Sequence, residues 1–541
     1  MRIPSFWHRP NPLAPYKRSA SLKPAAILPF QAFARHYTPM ANRTYDDALD
    51  CLNSLQTKFK TLNERRAAGV VPGPPHYENT LHALDRLGYK VCTLPLPTFP
   101  NPILTLPQPH DLDCLNIIHV AGTKGKGTTS AYAESILAAY QRSHGLPSKI
   151  GLFTSPHLVS VRERIRINSL PITTEKFTKY FFDVWDRLDL YNAKEGLGAM
   201  DKPPYFRFLT LMSFHAFVCE GVDAAVYEVG LGGEYDATNV IAQPAATGIS
   251  TLGIDHVDIL GHTIEEIAWH KAGILKHGSP AFSVEQLPAA AAVVAQRAKE
   301  KDVGIEIVHV DPRLKDVRIT PDAKFQKQNA SLAISLTETV MKRLEPDFKL
   351  PSDTLPKEFI DGLEQVVLRG RCETKVEGNI RWFIDGAHTA DSLKVSAQWF
   401  GGESAKHAAG KRVLIFNQQG REEAVELLEG LYNGIAEQGL VKFDHVVFCT
   451  NITYAEGYKK DFVNVMYDPA AIKGMTMQKA FKEKWEKMDP AATVVLSETI
   501  EGALGHVREL ADQGGEVQAL VTGSLHLVGG ALGVLEGGDA L

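Results

Sequence analysis

From Ile117 onward the chain alternates short apolar runs with longer amphipathic ones. IIHVA, KIGLF, AAVYEV, ATGIST, PAFSV and IEIVHV read as strands, separated by helices over 128–142, 175–190, 206–220, 263–276 and 288–300. Short strands without polar alternation are buried on both faces, so the pattern predicts a mostly parallel sheet covered by helices. A second series, RWFID, RVLIF, HVVFC, TVVLS and ALVTG, follows Arg371, with helices around 391–400, 421–436 and 499–512. Helix 328–344 and a proline-marked stretch, 351–370, lie between the two series. The expected fold is α/β in two domains, one with a mostly parallel sheet over 41–366 and a smaller one over 367–541. The hinge is expected near 365–371. Ahead of the first series, Tyr45, Leu49, Leu52, Leu55, Phe59 and Leu62 recur at helical spacing and predict one amphipathic helix. The proline-rich 94–109 predicts an extended loop.

Composition narrows the function class. A net charge of −5 gives no electrostatic case for nucleic acid. The six cysteines (51, 92, 114, 219, 372 and 449) include no C-x-x-C pair, which points to a reducing compartment and away from zinc or disulfides. No apolar run is long enough to span a bilayer. The amino terminus stands apart: Met1 to Tyr45 contains no Asp or Glu but carries Arg2, Arg9, Lys17, Arg18, Lys23, Arg35 and Arg43. A basic, acid-free, serine-containing leader is the composition of a mitochondrial targeting segment, expected over 1–40. Arg35-His36-Tyr37 resembles an Arg-x-Tyr processing site, and Met40 stands where an internal start would give a cytoplasmic form.

The chemistry begins at IIHVAGTKGKGTTS. A strand enters a glycine-rich turn and a helix leaves it, the layout of a phosphate-binding loop. The strict spelling G-x-x-x-x-G-K-[ST] fails, because Val120 stands where its first glycine belongs and Gly127 where its hydroxyl belongs. Gly122, Gly125 and Gly127 still allow backbone N–H groups to converge on a phosphate. Lys126 occupies the last turn of the loop and is the candidate for the β- and γ-phosphates, with Thr123, Lys124 and Thr128 beside it. By spacing, the displaced hydroxyl has two candidates, Thr128 and Ser155.

Three further strand ends carry polar side chains: Ser155 in FTSPHL, Glu228 in YEVGLGG and His256 in GIDHVD. In an open α/β sheet, ligands bind outside the carboxyl ends of strands, so these residues are expected over one crevice. A hydroxyl, a carboxylate and an imidazole there suit Mg²⁺ or Mn²⁺ beside the phosphates. Each also has an ordinary structural reading: a helix cap, a surface ion pair and a core histidine.

Taken in order, HVAGTKGKGTTS, FTSPHL, VRERIRIN, YEVGLGGEYDATN, DHVDILGHTIEEIAWHKAGI, DGAHT and VTGSLHLVGG resemble the folylpolyglutamate synthases, a family of the Mur-type ATP-dependent amide ligases. The resemblance runs from about Tyr45 to near Gly530, and YDDALDCLNSLQ is similar to the eukaryotic members. It implies that the domain over 41–366 is a P-loop-type ATPase domain with a mostly parallel sheet and that the one over 367–541 is Rossmann-like. It implies a ligase that adds L-glutamate to the γ-carboxylate of tetrahydrofolate or its polyglutamates, through an acyl phosphate made from ATP. It implies Mg²⁺ on Ser155, Glu228 and His256, which assigns Ser155 to the metal and Thr128 to the phosphates. Lys271 of KAGI is often carbamylated in the superfamily and then holds a second metal; unmodified, it would bind anionic substrate. Asn329, Arg371, Asp385 and His388 would complete the ATP site, with His388 also a candidate for taking the amine proton.

The chain departs from the family pattern twice. It reads Leu368-Arg369-Gly370-Arg371 where Pro-Gly-Arg is usual, which leaves Arg369 competing with Arg371, and Thr389 follows DGAH in place of Asn. A monovalent cation such as K⁺ and a monomeric state are further expectations of the resemblance. The rival readings are a dihydrofolate synthase, a P-loop kinase or ATPase, and a folate-binding module without turnover.

Overall fold

The computed structural model describes residues 43–71, 73–89, 111–194, 202–407, 410–419, 423–437, 439, 442–456, 460–465 and 467–537. The leader over 1–40, Met40 and the proline-rich 94–109 lie outside the described residues.

Eight strands form the first sheet: β1 Ile118–Ala121, β2 Ile150–Phe153, β3 Ile165–Ile167, β4 Leu170–Pro171, β5 Ala224–Glu228, β6 Ala246–Ile249, β7 Ala281–Val284 and β8 Ile305–Val308. Their order is β4-β3-β2-β5-β1-β6-β7-β8. β2, β5, β1, β6, β7 and β8 run parallel, and β3 and β4 close one edge as an antiparallel hairpin. Every residue of β1, β2, β5 and β6 is buried, as continuous apolar strands require. Alternate residues face two cores. Phe153, Ala225 and Tyr227 pack beneath helices Thr174–Lys194 and Tyr205–Glu220. Ile118, Val120, Leu152 and Val226 pack beneath helices Lys126–His144, Lys324–Leu344 and Lys357–Gln365.

The second sheet holds β9 Glu373–Glu377, β10 Ile380–Asp385, β11 Gly410–Phe416, β12 His445–Cys449, β13 Thr493–Ser497 and β14 Glu516–Thr522, in the order β13-β12-β11-β14-β10-β9. Five strands are parallel and β9 is an antiparallel edge. Helices Ala390–Ser404, Ala424–Glu437 and Thr476–Met488 cover one face. Ile500–Asp512 and Leu525–Glu536 cover the other. The expected α/β architecture with a mostly parallel first sheet is thus the observed one.

Two local expectations are corrected, and one stretch gains an element. The Tyr45–Leu62 pattern is two helices, Tyr45–Ser54 and Phe59–Ala67. A tertiary partner takes the turn between them: Phe59 N–H donates to Val465 O at 2.9 Å and Gln56 Nε2 to Val463 O at 2.9 Å. Helix 263–276 begins at Ile264 and ends at Lys271, followed by a 3₁₀ turn. There Gly273 lies so close to Glu234 that a Cβ would stand 2.5 Å from its amide nitrogen. The proline-marked stretch contains the helix Lys357–Gln365, which starts directly after Pro356. Its Gly362 rests on helix Lys126–His144, where a Cβ would lie 2.6 Å from Ile136 Cα.

Candidate active site

The loop between β1 and helix Lys126–His144 sits at the sheet centre, with β5 on one side and β6 on the other. The parallel register places Val120 opposite Glu228 and Ala121 opposite Ile249, so the ends of all three strands open into one crevice. Gly125, at φ 86°, is the N-cap, a left-handed conformation that costs glycine least. No side chain caps this helix, so its first-turn N–H groups point into the crevice with the positive end of the helix dipole. A Cβ on Gly125 would overlap Asn329 Oδ1, which shows how closely this buried amide from helix Lys324–Leu344 approaches the loop.

The front of the loop is engaged internally. Thr123 N–H and Lys124 N–H donate to Thr251 O at 2.9 and 3.1 Å. Thr123 Oγ1 donates to Gly253 O at 2.9 Å, and Ser250 Oγ donates to Lys124 O at 2.8 Å. Lys124 Nζ pairs with the buried Asp255 at 3.0 Å. Sequence reading missed Thr251 and Ser250, because their place beside Gly122 follows from the β1–β6 pairing and from no motif.

Glu228 lies behind the loop. Its Oε2 accepts Ser155 N–H at 3.0 Å, and its Oε1 faces Gly127, where a Cβ would come within 3.4 Å. Glu228 is 5 % exposed. Burial pushes its pKa above the ordinary value, against the opposing pull of Lys126, Ser155 N–H, Arg371 and Arg164. Lys126 therefore stands within electrostatic reach of Glu228. Lys271 is buried as well, and its Nζ donates to Gly122 O at 2.8 Å. Burial, reinforced by Lys126, holds that amine well below the usual lysine range. His256 enters from the Asp255 side of the crevice, exposed and left-handed at φ 54°, with its N–H on Asp255 Oδ1 at 2.9 Å. Thr128 is half-buried in the first helical turn. Among the described residues, no three His, Cys, Asp or Glu side chains form a metal cage.

The second domain supplies the opposite wall. Arg371 is exposed, its Nη1 donates to Gly386 O at 3.3 Å, and it acts electrostatically on both Asp385 and Glu228. Arg369 is committed elsewhere: it bonds Glu536 at 2.7 Å and Glu373 at 3.2 Å, fastening the interdomain turn to the last helix. That leaves Arg371 as the guanidinium facing the crevice. Asp385 is buried and accepts Cys372 N–H at 2.8 Å and Ala387 N–H at 3.0 Å. Its pKa is raised by burial against the opposing charge of Arg371. His388 turns Nδ1 toward Gly386 O at 2.8 Å, and Thr389 caps helix Ala390–Ser404 with Ser392.

One residue of the quoted VRERIRIN motif gains a place that spacing gave no sign of. Arg164 is buried, donates from Nε to His157 Nδ1 at 2.9 Å and lies 5.7 Å over the Tyr205 ring. It is within electrostatic reach of Glu228.

A family model described as the dihydrofolate synthetase C-terminal domain matches residues 368–534. A folylpolyglutamate synthase of Neurospora crassa is 55% identical over 517 residues, covering 94% of each chain. One from Candida albicans is 42% identical over 525 residues, covering 91% of this chain and 96% of its own. The solved folylpolyglutamate synthase of Mycobacterium tuberculosis, complexed with ADP, superimposes with a TM-score of 0.65 at 24% identity, over 92% of this chain and 99% of that one.

Proposed function

We infer, from the premise that this chain belongs to the folylpolyglutamate synthase family, that it is an ATP-dependent ligase adding L-glutamate to the γ-carboxylate of tetrahydrofolate and its polyglutamates. The observation that carries the site is the meeting of Lys126, Glu228 and the uncapped helix N-terminus at one crevice, with Arg371 of the second domain facing it. Phosphoryl transfer asks the protein mainly for positioning and charge neutralisation. The N–H groups of the first helical turn and Lys126 take the β- and γ-phosphates of ATP, and Thr128 lies beside them. Asn329, Arg371 and Asp385 hold the remainder of the nucleotide. A folate γ-carboxylate oxygen attacks the γ-phosphorus, and ADP leaves. The amine of glutamate then attacks the acyl carbonyl, loses its proton and expels phosphate, giving the amide. His388, half-buried on the second wall, is placed for that proton or for ATP.

The residues fit Mg²⁺. Glu228 is a buried carboxylate whose charge burial opposes, with Ser155 bonded to it and Gly127 leaving space at its other oxygen. Ser155, Glu228 and His256 would hold the ion, which neutralises phosphate charge when bound. Lys271 supports two states. Its amine, whose charge burial disfavours, is suited to accept CO₂ as a carbamate for a second metal, and unmodified it braces the loop through Gly122 O. A monomer with mitochondrial and cytoplasmic forms, the latter from Met40, completes the proposal; the acid-free basic leader supports the targeting. Among the described residues no helix is long and apolar enough to cross a membrane. The direct test is Lys126→Ala assayed for glutamate-dependent ADP formation: the loss of turnover in a folded protein is expected, and retained turnover would remove Lys126 from the site.

A further inference from the structure

The loop Ser155–Val161, which carries Ser155, is held from three directions. Glu228 takes Ser155 N–H at 3.0 Å. Glu163 takes Leu158, Val159 and Ser160 N–H at 3.0, 2.7 and 2.7 Å. The third hold comes from the other domain. Asp461 Oδ1 accepts Val161 N–H at 2.9 Å and the Tyr45 hydroxyl at 3.0 Å. Its backbone carbonyl lies 3.2 Å from His157 Nε2. Because Arg164 Nε–H donates to His157 Nδ1, that ring carries its proton on Nε2 and donates it to Asp461 O.

Asp461 is itself anchored from both sides. The segment around it is gripped by the opening helix and the turn that follows: Asn53 Nδ2 donates to Lys460 O at 3.0 Å, and the Gln56 and Phe59 bonds described above fix Val463 and Val465. Its Phe462 packs on helix Leu525–Glu536, where a Cβ on Gly533 would touch the ring at 3.3 Å. Val159 and Leu158 enter the core of the second domain alongside. The loop bearing Ser155 is therefore a piece of the first domain whose far end is fixed by the second.

We propose that Asp461 is a positioning residue for the Ser155–Val161 loop, coupling the opening helix and the second domain to the placement of Ser155. This deepens the metal assignment above and rests on it for its functional consequence. The geometry needs an oxygen acceptor, so Asn at 461 serves and Ala does not.

Hydrogen exchange of the peptide spanning 154–164 reads the positioning without reference to metal. Asp461→Ala is expected to speed its exchange about tenfold, and Asp461→Asn to stay near wild type. Mn²⁺ binding in the presence of ADP reads the consequence: Asp461→Ala is expected to weaken it about fivefold, with Asn restoring it. Unchanged exchange in Asp461→Ala, or equal damage from Asn, overturns the proposal. Wild-type Mn²⁺ binding in Asp461→Ala also overturns it, provided Ser155→Ala weakens binding. If Ser155→Ala binds Mn²⁺ normally, the metal assignment of Ser155 fails instead, and Asp461 is judged on exchange alone.

Discussion

Ser155 N–H donates to Glu228 Oε2 at 3.0 Å, joining the end of β2 to the end of β5 directly behind the phosphate loop. That bond favours the charged form of Glu228 in a place where burial disfavours it. Lys126, Arg371 and Arg164 relieve part of that cost, and a bound cation would relieve more. Glu228→Gln is accordingly expected to raise the Tm of the metal-free protein by about 2 °C while raising its Mg²⁺ requirement. Thermal unfolding with and without Mg²⁺, beside a Mg²⁺ titration of activity, checks both halves.

Gly127 answers why the loop lacks the usual hydroxyl after its lysine. Glu228 Oε1 already lies 3.4 Å from where a Cβ would be. Gly127→Ser would bring a hydroxyl onto the carboxylate and compete with the proposed metal ion for it. Activity is expected to fall about tenfold, with little change in Tm, in a steady-state assay at saturating ATP.

The two arginines of the interdomain turn should separate cleanly. Arg371→Ala is expected to lower kcat/KM for ATP about 100-fold with the fold intact, since its guanidinium faces the crevice. Arg369→Ala breaks the pairs with Glu373 and Glu536 and should cost about 1–3 kcal/mol in stability, with a smaller effect on ATP. Denaturant titration and ATP kinetics on both variants decide the assignment.

A pH effect comes from His119 at the centre of β1. Thr238 Oγ1 donates to Asp236 Oδ1 at 2.6 Å, so it accepts the proton of His119 Nε2 at 2.8 Å. Burial lowers the His119 pKa from 6.5 to about 3. Between those values the unfolded chain holds a proton that the folded one refuses, so stability is full above 6.5 and falls as pH drops toward 3. This one group contributes a slope of about 1.4 kcal/mol per pH unit. His119→Gln keeps a donor near Thr238 and should flatten that acid limb in urea titrations across the window.

Much of this was legible in the chain. β1, β2, β5 and β6 are buried on both faces, and their mostly apolar runs announce them. The hairpin β3–β4 and the edge strand β9 are not legible, because IRI and LP are too short and ETKVE too polar to signal a strand, and both gain their structure from pairing. The break before helix Phe59–Ala67 leaves no mark in the spacing, because Val465, some four hundred residues away, makes it. At the site, Lys126, Ser155 and Glu228 could be placed over one crevice from strand ends alone. The commitment of Arg369 to Glu536, the closure of Thr123 on Gly253 and the burial of Arg164 could not, since each depends on a partner distant in sequence.

The measurement that bears most directly on the activity is mass spectrometry of tetrahydrofolate incubated with the protein, ATP, Mg²⁺ and L-glutamate. The expected result is a ladder of products, each one glutamyl unit longer than the last, with one ADP formed per unit and none formed without glutamate. ADP release with the folate unchanged would contradict it.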